Sequence, residues 1–262
     1  DLPADVYRNR KLIFTLAKND FKTKFAGSYL GIIWAFVQPV VTVLTYWFVF
    51  QFGFRTGRIS EFPFVIWLTV GMVPWFFFSD AVNGGTNVLM EYSYLVKKVV
   101  FKIDVLPIVK MISAFFVHCF FVIFVILLCW VYGYAPDLYD LQLIYYILCN
   151  FILAVGIIYL TSAVVVFFRD LTQIIGIILQ VGIWMAPIMW DAERMLSPQL
   201  LIIFKLNPMF YIVDGFRDAL LEKAWLWDKG LWTIYFWIVI MAIYLLGTSM
   251  FRKLKIHFAD VL

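Results

Sequence analysis

Two histidines and three cysteines are the residues of this 262-residue chain best suited to hold a metal or act as a base or nucleophile, and their placement speaks against both roles. His118 stands alone in an apolar run and His257 lies near the end of the sequence, so a hydrogen-bonded interior histidine is a simpler reading of His118 than a metal ligand. Cys119, Cys129 and Cys149 all fall inside apolar runs without CxxC spacing, and they read as small buried hydrophobes. The chain has no GxxxxGK[ST] phosphate loop, HExxH zinc pair or GxSxG elbow. An enzyme, a lipid-modifying one included, would lack its acid-base and metal groups.

The other chemistry is ionic. "FFRDLTQIIG" (Phe167 to Gly176) holds the only charged residues between Asp140 and Asp191. Within the apolar segments His118 is the only other ionisable side chain with intramembrane potential. Asp80 and Asp104 sit at segment ends, and Lys110 follows Asp104 by roughly one and a half helical turns, close enough to pair with it. A proton- or sodium-coupled carrier needs charges or broken helices at mid-depth. Energy for any transport is therefore expected from outside the chain.

The elements that must position these groups are membrane helices. Hydrophobic residues make up 64% and charged residues 15% of the sequence, with a mean hydropathy of +0.91, against about 45 to 50% and about 25% in soluble domains. Six apolar segments approach the roughly 20 residues that cross a bilayer: Tyr29 to Phe50, Phe62 to Ser79, Met111 to Tyr132, Leu141 to Phe168, Leu171 to Trp190 and Leu231 to Phe251. The run from Leu141 to Trp190 would extend about 75 Å as one helix, more than twice a hydrocarbon core of about 30 Å, so it must fold back at Arg169 and Asp170. The expected fold is an all-α membrane protein of six transmembrane helices.

Sidedness follows from the basic residues. With six spans, 14 of the 21 Lys and Arg fall on the side of both termini, the Val88 to Lys110 loop and the Arg169-Asp170 tip, which the positive-inside bias makes cytoplasmic. No signal peptide precedes the first span, and a start at Asp1 in place of methionine implies trimming.

Three segments depart from plain spans. Val6 to Phe25 has an apolar and a basic face, as an amphipathic helix on the anionic cytoplasmic leaflet would. Met90 to Pro107 is too polar to span and suits a cytoplasmic docking helix. Ser197 to Phe216 has short apolar pieces broken by Lys205, Pro208 and Asp214, which suits short re-entrant helices on the external side. The organisation is thus an interfacial region at 1–28, a six-helix domain at 29–251 containing the segments 90–107 and 191–230, and a cytoplasmic tail at 252–262. Pro39, Pro74 and Pro187 interrupt three spans, as pivots or as ordinary kinks. Most aromatics cluster at span ends, where interface belts account for them; a minority, Trp34 and Trp75 foremost, would suit a lumen in which rings stack on sugar faces.

Further motifs carry a family likeness. "YLGIIWAFVQP" (Tyr29 to Pro39), "PFVIWLTVGMVPWFFFS" (Pro63 to Ser79), "FFRDL" (Phe167 to Leu171) and "LNPMFYIVDGFRDALL" (Leu206 to Leu221) resemble the type-2 ABC exporters of lipid-linked polysaccharides. Within that family "YWFVFQFGFRTG" (Tyr46 to Gly57), "NPMFYIVDGFRDALL" and the final "HFADVL" are most similar to the permeases of Gram-positive wall teichoic acid export. The likeness runs through essentially the whole chain in order.

The resemblance implies a homodimeric permease in a bacterial, Gram-positive plasma membrane that moves an undecaprenyl pyrophosphate-linked teichoic acid polymer between leaflets. Two copies of a separate ATPase subunit would hold ATP and Mg, with no cofactor, catalytic residue or metal in this chain and no nucleic acid among its partners. It places the interfacial helix at Val6 to Phe25, a coupling helix at Met90 to Lys102 and re-entrant helices at Ser197 to Leu221. Glu91, Tyr92 and Tyr94 are then the preferred contacts with the ATPase, with Arg169 and Asp170 joining in the coupling. Arg8, Arg10, Lys11, Lys97, Lys98 and Lys102 would attract substrate phosphates, or serve topology and lipid anchoring alone. Trp34, Tyr46, Trp75, Phe76 and Trp184 are the conduit candidates. An O-antigen or capsular polysaccharide permease shares this fold and is the alternative, ahead of an ion-coupled secondary carrier.

Overall fold

The apolar runs become helices in the computed structural model, which describes residues 6–59, 61–97 and 102–261. A helix α1 (Arg10–Thr23) precedes α2 (Trp34–Phe48), the centre of a first apolar span, Gly31–Gly53. A short antiparallel pair follows, β1 (Arg58–Ile59) with β2 (Phe62–Pro63), in the register Arg58 to Pro63 and Ile59 to Phe62. Then come α3 (Phe64–Thr86), two single turns α4 (Val88–Glu91) and α5 (Ser93–Val96), and the long helices α6 (Leu106–Val131) and α7 (Gln142–Val165). The second half holds α8 (Leu171–Met185), three short helices α9 (Ala192–Met195), α10 (Pro198–Lys205) and α11 (Pro208–Arg217), the last span α12 (Leu231–Leu254) and a final turn α13 (Phe258–Val261).

Among the described residues five helices are long and apolar enough to cross a membrane. The expected fifth span, Leu171 to Trp190, is shorter than its composition promised. Helix α8 has 15 residues, about 22 Å at 1.5 Å per residue, and at Ala186 the backbone turns extended (ψ 90°) just before Pro187, which has no N–H to continue the ladder. Residues 166–170 form the reversal between α7 and α8, where the length argument placed it. The first helix and the end of the last span lie at this same, terminal end of the bundle: α1 packs on α6, and Lys255 reaches Asp104 ahead of α6 at 2.8 Å. The opposite, distal end carries α10 and α11, which meet at 99°. Asn207 opens the second of these by accepting the Met209 N–H at 3.0 Å, and Pro208 occupies the first turn, as expected of a helix start.

Helix α3 is central, and apolar all round from Phe64 to Phe78. Of its most apolar window 78% is buried, against 6% for the first span, and it packs on α2, α6, α7, α8 and α11. A stretch without a polar face must be enclosed by other helices. Asn150 of α7 donates to the Pro74 carbonyl at 2.9 Å, a polar tie between two buried helices.

Helices α7 and α12 approach closely through Gly156 and Gly247. A Cβ on Gly247 would stand 2.1 Å from the Gly156 carbonyl oxygen, a backbone atom that cannot rotate away; small residues at such crossings let helices meet backbone to backbone. Gly247→Ala is expected to push α12 off α7, destabilising the chain by about 1 to 3 kcal/mol. Thermal unfolding of the purified protein would read this as a lower midpoint, and an unchanged midpoint would refute it.

The expected single helix over Met90 to Lys102 is interrupted. Tyr92 separates α4 from α5 with φ −100° and ψ 26°, its hydroxyl donating inward to Asp20 at 2.9 Å, and residues 98–101 lie outside the described residues.

Candidate functional site: a cleft at the terminal end

Burial of one face of α1 against α6 brings Asp20 inside together with Ile13 and Ala17. Lys110, one turn into α6, meets it there: its Nζ is 2.8 Å from Asp20 and 2.5 Å from Glu91. The pairing expected between Lys110 and Asp104 is therefore replaced by three pairs, Lys110 with Asp20, Lys110 with Glu91, and Asp104 with Lys255. Asp104 sits in the turn before α6 begins, while Lys110 faces α1 and α4. Tyr92 completes the group. Burial, then the charge of Asp20, holds its phenol well above the ordinary range, so it remains a donor to the carboxylate. One buried cluster thus ties α1, the α4–α5 turn and α6 together. Nearby Thr172 at the start of α8 donates to Asn87 at 2.7 Å, linking the same turn to the α7–α8 hairpin.

A polar cleft of about 510 Å³ opens beside this cluster, lined in part by Asp20, Glu91, Tyr92 and Lys110. Deeper along α3 lies a second cavity of about 380 Å³, with Trp34, Phe76 and Phe121 in its walls. Lys24, Asp80 and Asn83 border both, and Lys24 pairs with Asp80 at the junction; each side chain is about two-fifths exposed, so the pair is weak and able to open. Gln38 and Thr42 add polar groups to the deeper wall. His118 also lines it, stacked on Phe77 at 4.7 Å. It is an interior histidine, 3% exposed, with the Val73 backbone as its polar neighbour.

The arrangement suits an amphiphile, with a polar head at the mouth and an apolar body deeper in. Among the described residues no group of three or more His, Cys, Asp or Glu side chains could hold a metal ion.

The expected site residues divide accordingly. Glu91 and Tyr92 belong to the cluster, whereas Tyr94 is exposed beside it, its ring 6.2 Å from that of Tyr92. Arg169 and Asp170 are exposed at the hairpin, and among the described residues neither forms a salt bridge. Arg8, Lys11, Lys97 and Lys102 are exposed, as is Arg10, which packs over the Tyr7 ring at 4.4 Å; Lys98 lies outside the described residues. Of the conduit candidates Trp34 and Phe76 line the deeper cavity, Tyr46 is half-buried against the core and Trp184 is half exposed. Trp75 is 5% exposed and presses on Gly182 of α8, away from any open surface.

Asp20, Lys24, Asp80 and Lys110 were not among the expected site residues. At the distal end the same holds for Arg217, which is buried, stands 3.8 Å over the Trp67 ring and donates to the Pro187 and Ile188 carbonyls at 2.9 and 2.8 Å. Asp214, Asp218 and Glu222 stand beside it at four-residue spacing, a pattern that places three carboxylates on one helical face and could have exposed the site.

The fold and cleft define a multi-pass membrane protein built from apolar helices. It belongs to the ABC-2 type transporter family, whose profile matches residues 11–221. Permeases of that family are the membrane subunits of ABC transporters, paired with a separate ATPase subunit that hydrolyses ATP. The chain is similar to an O-antigen export system permease protein RfbA of Myxococcus xanthus, 27% identical over 84% of each chain. It is also similar to a Klebsiella pneumoniae protein of that name, 26% identical over 96% of this chain and 95% of the relative.

Proposed function

We propose that this chain is the permease of an ATP-driven exporter carrying a lipid-linked polysaccharide across a bacterial plasma membrane. The observation that carries the reading is near end-to-end similarity to O-antigen export permeases, and a cleft with a polar mouth and apolar depth agrees with an amphiphilic cargo. An O-antigen-type polymer is the substrate we favour. The motif likeness of Tyr46 to Gly57 and of the final "HFADVL" supports wall teichoic acid as the second reading, and the Gram-positive assignment stands or falls with it.

In this reading two copies of the chain form the conduit and two ATPase subunits, holding ATP and Mg, press on the terminal end, which the basic residues place in the cytoplasm. Helix α1 lies on the leaflet surface, and Arg8, Arg10, Lys11, Lys97, Lys98 and Lys102 concentrate the anionic lipid pyrophosphate at the mouth, each contributing about 1 kcal/mol. Motion of the α4–α5 turn is passed to α1 and α6 by the Lys110 cluster and to α8 through Asn87 and Thr172.

Exchange of the hairpin charges tests whether the hairpin itself takes part in this coupling: Arg169→Asp combined with Asp170→Arg is expected to insert normally and lose ATP-driven export, whereas a plain turn would keep it. The broader reading is tested by copurification with candidate ATPases, then ATPase assays with undecaprenyl pyrophosphate-linked glycan and with lipid-linked teichoic acid. Stimulation by the glycan supports the O-antigen reading, stimulation by teichoic acid alone selects the second, and absence of any ATPase complex overturns both.

A further inference from the structure

A cavity of about 290 Å³ lies at the distal end, between α11, the start of α12 and the loop joining them, remote from the cleft. Its volume is near the lower limit of small-ligand pockets, about 300 Å³. Aromatic rings form much of its wall. Trp225 is held in a stack, 4.7 Å from Trp227 and 4.7 Å from Tyr139, and Trp232 meets Tyr235 edge-on at 6.0 Å.

Five carboxylates also line it: Glu193, Asp214, Asp218, Glu222 and Asp228. Two ammonium groups oppose them, Lys205 and Lys229. Lys205 is paired with Glu193 at 2.8 Å, Lys229 holds Asp214 and, at 2.6 Å, Asp218, and Asp228 accepts the Trp225 N–H at 3.0 Å. Burial lowers the proton affinity of Lys229, but the Asp214 and Asp218 charges outweigh it and hold it above its ordinary range; it stays a cation bound to those two. Glu222 stands exposed at the rim; among the described residues it has neither a side-chain hydrogen bond nor a salt bridge, and Arg217 and Lys229 act on it only through space. The backbone beside it is strained. Lys223 has φ 57°, a left-handed conformation that a non-glycine residue keeps only when its surroundings enforce it, and here Asp137 and Asp140 hold its ammonium at 3.1 Å each.

Aromatic faces next to a carboxylate with free acceptor positions match the two sides of a pyranose ring, whose C–H face packs on an indole and whose adjacent hydroxyls donate to a carboxylate. The excess of carboxylates over ammonium groups disfavours a phosphate. The geometry points to a binding site for an uncharged pyranose residue, stacked on Trp232 and hydrogen-bonded to Glu222. Resting on the exporter reading above, the site lies on the outer face and takes a sugar of the emerging polymer, which selects a neutral glycan over a polyol phosphate.

The test is saturation-transfer NMR and calorimetry on the full chain in lipid nanodiscs. The probes are the methyl glycosides of glucose, galactose and mannose, N-acetylglucosamine, glycerol 3-phosphate and choline. Saturable binding of at least one sugar is expected, with its ring C–H protons most strongly saturated and no binding of glycerol phosphate or choline. Glu222→Gln should weaken it about tenfold, the loss of a charge-assisted bond, and Trp232→Ala more, while Trp232→Phe keeps it and shows that the fold survives. No sugar binding, binding indifferent to both Glu222→Gln and Trp232→Ala, or equal binding of choline or glycerol phosphate overturns the inference. A chain that binds no sugar yet forms an ATPase complex stimulated by lipid-linked polymer loses this site alone. One that binds sugar without any ATPase partner loses the exporter reading alone.

Discussion

Lys110→Met is expected to destabilise the protein by about 3 to 5 kcal/mol, the loss that follows when one partner of a buried ion pair is removed. The size comes from what is left behind. The Asp20 side chain is 6% exposed and that of Lys110 12%, so without the ammonium Asp20 keeps a charge inside the α1–α6 contact with only the Tyr92 hydroxyl to meet it. Glu91, with its side chain half exposed, can turn to water and adds little. The double variant Asp20→Asn with Lys110→Met removes both charges and should recover at least half of the lost stability in denaturant titrations. A double variant no better than Lys110→Met would show that loss of packing, rather than a stranded charge, is responsible. Function provides a second readout, because the cluster joins α1 to the α4–α5 turn. ATPase activity of the assembled complex should persist while its stimulation by lipid-linked polymer falls.

The same cluster shows what sequence reading reaches. Apolar runs of bilayer length located the five long helices, and the hairpin at Arg169-Asp170 followed because 50 apolar residues cannot cross once. Composition could not say where α8 stops, since apolar residues continue through Trp190 while the backbone turns at Ala186. Nor could it choose a partner for Lys110. Asp104 is near in sequence, but Asp20 arrives only after α1 has docked on α6, and ionic partners chosen by tertiary packing leave no local periodicity. The continuous coupling helix failed for a related reason, because Tyr92 exchanges helical geometry for a bond to the same Asp20. At the distal end the carboxylates at positions 214, 218 and 222 were legible as one helical face. That the face closes an aromatic-walled pocket depended on the loop through Trp225, whose shape no residue pattern specified.

Arg217 sets the other large effect. Arg217→Met should destabilise the chain by about 3 to 5 kcal/mol, and Arg217→Lys by most of that amount, because two carbonyls and an aromatic face lose one shared partner. The guanidinium donates through two nitrogens to Pro187 and Ile188, in the segment where α8 ends short, and its plane lies over Trp67 of α3. It thereby fixes the distal turn onto the central helix. Room for it comes from Gly71, where a Cβ would stand 3.1 Å from one guanidinium nitrogen. A lysine keeps the charge but has a single compact donor group in place of a planar fork, so it cannot serve both carbonyls while stacking on the indole. The charge-conserving change is therefore expected to resemble the charge-removing one in thermal midpoint. A lysine variant with the native midpoint would show that charge alone, balanced by the nearby Asp214 and Glu222 carboxylates, holds the turn in place.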